Sequence, residues 1–244
     1  MPILIVSDIH SNLAAFEAIL RDAEAAAPID RIWCPGDIVG YGPDPLACIS
    51  LLRRYPHLAV CGNHDLAAVG RISTSDFNAA GRLAAQWTGK RLGNNERQYL
   101  DSLPQVAKEG EFTLVHGSLR APVWEYLLSP DAAQEQFRRM ETAYSIIGHS
   151  HIPFVAFETA GGMPRMTPLL GGDRIELGER RLIINAGSVG QPRDGDSRAS
   201  YALLDPGGRV LTLHRVQYDI AATQEKIRAE GLPQWLADRL AFGR

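Results

Sequence analysis

The amino-acid sequence predicts an α/β fold in which several parallel strands end at one common edge. Short, continuous apolar runs, of which residues 3–6 are the first, are typical of strands buried on both faces of a sheet. The first three runs are each followed by a polar loop and a helical pattern, as in consecutive β–loop–α units. Beyond residue 153 the strand-like runs follow one another without long helices. The simplest account is one domain, residues 1–244, that contains two β-sheets.

Hydrophobic periodicity places the elements of the first part of the chain. Apolar residues recur at helical spacing from Leu13 to Leu20, after a candidate N-cap at Asn12, and Pro28 is expected to end this helix. Further strands are predicted at residues 31–34, 58–61, 106–108, 112–115 and 144–147. Further helices are predicted at residues 46–55, 79–92, 95–102 and 131–140.

The last ninety residues are predicted to be mostly strands, followed by a terminal helical region at residues 220–240. The strands are expected at residues 154–158, 174–177, 180–185, 200–204 and 210–216. Gly178-Glu179 has the form of a two-residue hairpin turn, and the glycine-rich residues 161–172 are expected to form a mobile loop. The apolar face of residues 232–242 predicts docking on the same domain or on a second subunit, so a homodimer is one alternative.

Composition narrows the class of function. The formal net charge of -3 lacks the basic footprint of a nucleic-acid-binding or membrane-surface protein. No segment has the apolar length of a membrane span, and residues 1–10 lack a basic leader, which favours a cytoplasmic location. The cysteines, Cys34, Cys48 and Cys61, are odd in number and lack metal-pair spacing, so we expect buried thiols in a reducing compartment.

Polar side chains that can bind metal follow the predicted strands at the points where the strands end. Because the carboxyl ends of parallel strands face one crevice, we expect these side chains to lie together. They offer oxygen and imidazole nitrogen without thiolate, a set that suits zinc, manganese, iron or nickel. Seven ligands are too many for one tetrahedral site, so the sequence predicts two divalent metal ions that share a carboxylate. The candidates are Asp8, His10, Asp37, Asn63, His116, His149 and His151.

The order of these blocks resembles a known family. The series Asp8-x-His10, Gly36-Asp37, Gly62-Asn63-His64-Asp65, His116 and Gly148-His149-x-His151 is similar to that of the calcineurin-like metallophosphoesterases, over residues 3–200. Residues 185–193 resemble the Asn-Pro-Gly-Ser segment of compact bacterial and archaeal members, and with residues 36–44 they resemble the DevT-like bacterial phosphoesterases. The resemblance implies a four-layer α/β/β/α sandwich with two mixed β-sheets flanked by helices, and a site on the loops of one rim.

The resemblance also implies a role for each candidate residue. One metal would be held by Asp8, His10 and His151, the other by Asn63, His116 and His149, with Asp37 bridging them. A hydroxide that bridges the metals would attack phosphorus, and His64 would protonate the leaving oxygen, with Asp65 as a candidate orienting partner. The chemistry is consistent, since two cations about 3.5–4 Å apart clamp the attacking and leaving oxygens of such a displacement.

The sequence also departs from the family. Phosphoprotein phosphatases carry an arginine in a Gly-Asp-x-x-Asp-Arg-Gly pattern, and residues 36–42 lack it. Arg193 or Arg198 is a candidate replacement because guanidinium suits phosphate oxygens, and the alternative is that both are surface arginines in a polar turn. The N–H groups of Gly187 and Ser188 either bind an anion or simply form a tight turn.

Three aromatic residues fall on the loops of the predicted rim. They are Tyr41, Trp124 and Tyr126. Packing in the core is the simpler interpretation, and stacking on an aryl or nucleobase leaving group is the alternative.

Together these features predict a dinuclear metal-dependent phosphoesterase for a small phosphorylated substrate. Phosphodiester and phosphomonoester bonds both remain open, and the missing arginine favours diesters slightly. The alternative is a non-catalytic metal-binding scaffold for protein interactions on the same fold, because fold alone does not determine function. A metal-storage or sensing protein is a third possibility. The presence of His64 beside a complete set of ligands favours the enzyme.

Overall fold

Two six-stranded β-sheets form the body of the protein in the computed structural model, which describes residues 2–244. The strands are β1 (Ile3–Ile5), β2 (Arg31–Cys34), β3 (His57–Ala59), β4 (Val106–Glu109), β5 (Phe112–Val115), β6 (Tyr144–Ile147), β7 (Phe154–Phe157), β8 (Arg165–Pro168), β9 (Arg174–Glu176), β10 (Leu182–Asn185), β11 (Ala199–Asp205) and β12 (Val210–Val216). The helices are α1 (Leu13–Ala26), α2 (Pro45–Leu52), α3 (Asn63–Ala68), α4 (Ala79–Arg91), α5 (Asn94–Ser102), α6 (Pro130–Arg139), α7 (Ile220–Ala229) and α8 (Gln234–Asp238), followed by a 3₁₀ turn at Arg239–Phe242.

Both sheets are mixed. The first has the order β3-β2-β1-β11-β12-β9, in which β1 pairs in parallel with β2 and β2 with β3. The second has the order β4-β5-β6-β10-β7-β8, in which β6 pairs in parallel with β5 and with β10. The parallel strands are those that carry the candidate metal ligands at their carboxyl ends, as the sequence predicted.

The alternation of side chains along β1 shows how the layers are arranged. Ile3 and Ile5 point into a core that both sheets share, where they meet side chains such as Ile146 and Ile184. Leu4 points the other way, into a core with the buried face of α1. A third core lies between the outer face of the second sheet and α6. The order helix, sheet, sheet, helix is the predicted four-layer sandwich, and this prediction is confirmed.

Two local predictions were wrong. Gly178-Glu179 does not form a hairpin turn, because β9 belongs to the first sheet, beside β12, whereas β10 lies in the second sheet between β6 and β7. The segment 161–172 is not a loop throughout, since it contains β8, an edge strand paired antiparallel with β7. Strand β8 has the sequence Arg-Met-Thr-Pro, which lacks the apolar alternation that would have revealed it.

The terminal helical region docks on its own chain. Helix α7 packs against α1, and Leu236 and Leu240 are buried with Tyr41 in one apolar cluster. Trp235 and Phe242 stay exposed. The homodimer therefore stays a prediction. Within residues 2–244, every helix is too short or too polar to cross a bilayer.

The cysteines have the environment that the sequence indicated. Cys34, Cys48 and Cys61 are buried and free. Burial raises the pKa of all three thiols. They are therefore neutral, apolar packing groups near pH 7.

Candidate metal centre

The backbone of the candidate ligands is strained. Five of them adopt a positive φ, with values of 54° at Asp8, 48° at His10, 53° at Asp37, 66° at His149 and 60° at His151. Each such residue costs about 1–2 kcal/mol unless it is glycine. Strain of this kind persists only where the surrounding structure enforces it, and it is typical of functional sites.

Four buried side chains converge in the first cluster. Asp8, His10, Asp37 and His151 each offer a ligand atom within 4.8 Å of the others. The Nε2 atoms of His10 and His151 are only 3.1 Å apart, and Asp8 Oδ1 lies 3.3 Å from His151 Nε2. Asp8 is itself fixed by the Ser7 hydroxyl at 2.6 Å and by the His149 backbone N–H at 3.1 Å.

The tautomers of these two imidazoles indicate that the cluster can bind a cation. His10 Nδ1 contacts the Val39 carbonyl at 3.1 Å, and His151 Nδ1 contacts the Gln191 carbonyl at 2.6 Å. A carbonyl only accepts, so each Nδ1 carries the proton and each Nε2 of a neutral ring presents a lone pair. Two lone pairs that face each other at this distance repel unless a cation lies between them. The donor geometry therefore fits a bound metal ion.

In the second cluster, too, a backbone carbonyl contacts the outer nitrogen of each histidine. His116 Nδ1 contacts the Pro35 carbonyl at 2.8 Å, and His149 Nε2 contacts the Trp124 carbonyl at 3.2 Å. The two remaining nitrogens, His116 Nε2 and His149 Nδ1, face each other at 3.0 Å. The Asn63 side-chain oxygen lies 3.3 Å from His116 Nε2. Backbone carbonyls that fix the outer nitrogen of a histidine are the usual support of a metal ligand.

Asp37 lies between the clusters. Its Oδ2 is 3.5 Å from His10 Nε2 and 3.3 Å from His116 Nε2, so one oxygen contacts a histidine of each cluster. Its Oδ1 accepts a hydrogen bond from the His64 backbone N–H at 2.9 Å. Of the candidate carboxylates, Asp37 has the position that a ligand shared by two cations requires.

Burial and charge set the protonation states of the two clusters. Burial lowers the pKa of His10 well below its usual value and that of His149 to about 3. Burial opposes the charge of His116 as well, but the Asp37 and Asp8 carboxylates and the Pro35 carbonyl together outweigh it and raise the pKa of His116 to about 9. Without a metal ion the second cluster therefore holds a proton on His116, in the position that a cation would take.

His64 lies beside both clusters without belonging to either. Its buried ring packs against Tyr41 at 4.2 Å, Phe77 at 4.7 Å and His10 at 4.9 Å between ring centroids. Its Nδ1 has no hydrogen-bond partner among the described residues. Burial lowers the pKa of His64 to about 4. Gly40 covers the ring so closely that an added Cβ would lie 2.5 Å from Nδ1.

Asp65 contacts backbone N–H groups, whereas the sequence had suggested it as a partner that orients the His64 ring. Its Oδ1 accepts from the Val39 N–H at 3.0 Å and its Oδ2 from the Gly62 N–H at 2.9 Å. No hydrogen bond to the His64 ring is found within residues 2–244. Asp65 thus ties the start of α3 to the loop after β2, and burial raises the pKa of its carboxyl to about 7.

The predicted substrate-binding residues separate into two kinds. The Gly187 N–H donates to Asn185 Oδ1 at 2.8 Å, and the buried Ser188 hydroxyl donates to the Asp8 carbonyl at 2.9 Å. The Gly187 N–H is therefore engaged in holding the loop, whereas the binding of an anion by the Ser188 backbone N–H stays a prediction. Arg198 is exposed and forms a 2.7 Å ion pair with Asp196. Arg193 alone reaches the site, with its guanidinium 5.8 Å from the Tyr41 ring centroid.

The three rim aromatics also have different surroundings. Tyr41 is buried, in agreement with core packing. Tyr126 is half exposed and stacks on the His149 ring at 4.0 Å. Trp124 is partly exposed and contacts Phe77 at 5.7 Å. Tyr126 and Trp124 are therefore accessible beside the second cluster.

A family model described as the calcineurin-like phosphoesterase superfamily domain matches residues 1–208. The chain belongs to the calcineurin-like phosphoesterase superfamily. An uncharacterized protein of Methanocaldococcus jannaschii is 42% identical over 99% of this chain and 98% of its own length. A metallophosphoesterase of Sphaerobacter thermophilus, of known crystal structure, is 44% identical, with a TM-score of 0.90 over 100% of this chain and 99% of its own.

More distant relatives include enzymes of named activity. A symmetrical bis(5'-nucleosyl)-tetraphosphatase of Erwinia tasmaniensis is 26% identical over 70% of this chain. The match spans 62% of the length of that tetraphosphatase. The superfamily and these relatives are phosphoesterases, which places this chain in the same broad class of hydrolases.

Proposed function

We propose that this protein is a dinuclear metal-dependent phosphoesterase that hydrolyses small phosphoric esters. The observation that carries the proposal is the pair of facing imidazole nitrogens in each cluster, at 3.1 Å and 3.0 Å, with Asp37 Oδ2 beside both. Nitrogens that face each other in this way hold a cation between them, either a proton, as on His116, or a metal ion, and the donor set suits a divalent ion of the zinc or manganese kind.

The residues would divide between two cations. Asp8, His10 and His151 would hold one and Asn63, His116 and His149 the other, with Asp37 shared between them. Manganese, zinc, iron and nickel are all compatible with this donor set. When bound, such a pair of cations supplies a water of lowered pKa and neutralises the charge of the phosphoryl group.

His64 is the residue that we assign as general acid. Its ring lies within 4.9 Å of the His10 ring, and its Nδ1 is free of other partners. An acid must carry a proton when the leaving oxygen departs, and burial keeps the free ring neutral near pH 7. The negative charge of a bound phosphate favours the protonated ring, so binding of substrate would load the acid. Positioned acids of this kind typically contribute about 10²–10⁴-fold.

Arg193 would hold a phosphate oxygen of the substrate. Its guanidinium lies over the Tyr41 ring. Burial is the main cause that lowers the pKa values of His64 and His151, and the positive charge of Arg193 lowers both further. The Gly187 N–H and the side chains of Ser188 and Asp65 would not contact the substrate but would keep the loops of the site in position.

Since the tetraphosphatases cleave phosphoric anhydrides, both ester and anhydride substrates are proposed. The cytoplasmic location expected from the sequence stays a prediction.

The proposal is tested by removal and return of metal. The protein is treated with chelator, reloaded separately with manganese, zinc, nickel or iron(II), and assayed on bis-p-nitrophenyl phosphate and p-nitrophenyl phosphate. We expect metal-restored cleavage, and the ratio of the two rates identifies the preferred bond. Absence of cleavage with every metal, in protein shown to hold two ions per chain, would favour the non-catalytic scaffold.

A further inference from the structure

We propose that Arg193 and Arg239 form a second anion subsite beside the candidate metal centre, which binds a phosphate group of the substrate other than the scissile one. This inference rests on the proposed phosphoesterase function and names the substrate class that it would prefer, a phosphoric ester or anhydride with at least two phosphate groups. Arg239 lies outside residues 1–208, the part of the chain that the family model matches. The subsite would thus combine Arg193, from the part of the chain that the family model matches, with Arg239 from the C-terminal segment.

Arg193 reaches the candidate centre through one aromatic ring. Its guanidinium carbon is 5.8 Å from the Tyr41 ring centroid, and that ring is 4.7 Å from the His10 ring and 4.2 Å from the His64 ring. The Arg193 backbone N–H donates to the His151 carbonyl at 3.3 Å, which fixes the start of the side chain at a candidate ligand. Arg193 Nη2 donates to Gln191 at 3.0 Å, while its buried Nε has no partner among the described residues.

Arg239 is brought to the same place by the C-terminal 3₁₀ turn. The next residue, Leu240, is buried with Tyr41, and the Gly195 N–H donates to the Gly243 carbonyl at 3.0 Å. These contacts clamp the turn against the loop that carries Arg193. Arg239 Nε donates to the main-chain oxygen of Arg244, and its guanidinium lies 5.8 Å from the Trp235 ring centroid.

The acidic neighbours of both arginines are paired with other arginines. Among the ion pairs of residues 2–244 there is none that includes Arg193 or Arg239, although three aspartates lie within three positions of one or the other. Those aspartates form the pairs Asp194–Arg215, Asp196–Arg198 and Asp238–Arg228. The two guanidinium groups therefore have no ion pair with a side-chain carboxylate within residues 2–244, and the three aspartates nearest to them in sequence pair with other arginines.

Two nearby guanidinium groups without a side-chain carboxylate can bind one external anion between them. Burial and then the charge of Arg193 lower the pKa of Arg239 to about 10, so the positive charge of Arg193 acts on Arg239. Guanidinium groups offer forked N–H donors that match phosphate oxygens. The scissile phosphate would lie at the metal ligands, and the next phosphate along the substrate would lie between the two arginines.

The experiment compares two ligands that differ by one phosphoryl group. AMP and α,β-methylene-ADP, which resists cleavage between its phosphates, are bound to the manganese-loaded protein by equilibrium dialysis, with free manganese held constant. The wild-type chain should bind the methylene-ADP about tenfold or more tightly than AMP, as expected for added charge-assisted hydrogen bonds. R239A should remove this preference and leave the affinity for AMP close to wild type.

The control variants show whether R239A acts by losing its contact with phosphate, by lowering the net charge of the protein or by disturbing its folding. R21A removes one positive charge from the exposed face of α1, where Arg21 pairs with Glu17, and should keep the preference. R239K should keep part of it, since lysine is a cation without the fork. An R239A protein with the wild-type melting temperature and the wild-type preference would overturn the subsite.

The same proteins distinguish failure of the two proposals. A wild-type chain that prefers the methylene-ADP through Arg239, yet cleaves neither nitrophenyl ester with any metal, would overturn the proposed function and leave the subsite standing. A chain that cleaves these esters but binds AMP and the methylene-ADP equally would keep the function and overturn the subsite.

Discussion

Replacing Gly40 with alanine should displace the His64 imidazole while leaving every candidate metal ligand in place. An ideal Cβ at position 40 would lie 2.5 Å from His64 Nδ1 and 2.8 Å from its Cγ. Ordinary contacts between such atoms are about 3.5–4.0 Å, so the ring must move by about 1 Å. A misplacement of this size can cost about 10²-fold in rate. The positive φ of 96° adds a strain of about 1–2 kcal/mol to the free energy of folding.

The assay compares leaving groups of rising pKa in one set of diesters, from p-nitrophenol through phenol to an alkyl alcohol. G40A should lose about 10²-fold on the alkyl ester and far less on the nitrophenyl ester, because only the poor leaving group needs the acid. Metal analysis should still find the wild-type number of ions. The matched control is G70A, since Gly70 follows α3, the helix that contains His64, has a φ of 81° and has no atom within 4 Å of an added Cβ.

A G40A enzyme that is as fast as G70A on the alkyl ester would contradict the role of His64 as general acid. That role would also be contradicted if G40A lost the same factor on every leaving group, since His64 would then position the substrate. Loss of metal from G40A would show that the loop after β2, which also carries Asp37, had moved as a whole.

Three further predictions concern the same site. H64A should bind both metal ions and be slower by about 10²–10⁴-fold on poor leaving groups, and an equal loss on nitrophenyl esters would contradict its role as acid. D37A should abolish binding of both ions, measured by elemental analysis, and retention of two ions per chain would refute the shared ligand. Because the pKa of His116 is raised to about 9, metal binding near neutral pH should release its proton, and this release should vanish as the pH rises above that value. Calorimetry in buffers of different ionisation enthalpy measures the release, and a release that is independent of pH would contradict the assignment.

The positions of the candidate ligands were predictable because two independent features of the sequence indicate them: the apolar pattern of the strands and the residue types at the strand ends. Apolar runs such as residues 3–6 and 144–147 mark parallel strands, and the residues that follow them must meet where the strands end. Asp8 and His149, which are 141 residues apart, come within hydrogen-bond distance for this reason. The pattern of the strands and the residue types at their ends agree, so the sequence was informative here.

The supports of those ligands were not predictable. His10 and His151 are fixed by the carbonyls of Val39 and Gln191, and every residue has a carbonyl, so no residue type marks these two. The hairpin expected at Gly178 failed for a related reason. Its local turn chemistry was suitable, but the partner of β9 is β12, a choice that depends on packing between distant segments.

Arg239 illustrates the same limit at the second subsite. Nothing in the local sequence distinguishes it from the neighbouring Arg228, since both lie near the apolar residues of a helical segment. The distinction arises from packing, because Arg228 pairs with Asp238 while the 3₁₀ turn carries Arg239 toward Arg193. Only the folded chain shows which arginine lacks a side-chain acid.

In the proposed function the two cations act together in hydrolysis. A titration of metal-free protein with manganese tests this, with bound metal and cleavage of bis-p-nitrophenyl phosphate followed in the same samples. We expect activity to rise mainly between the first and second equivalents and to level off at two ions per chain. Full activity with one bound ion, or no activity with two, would contradict the account.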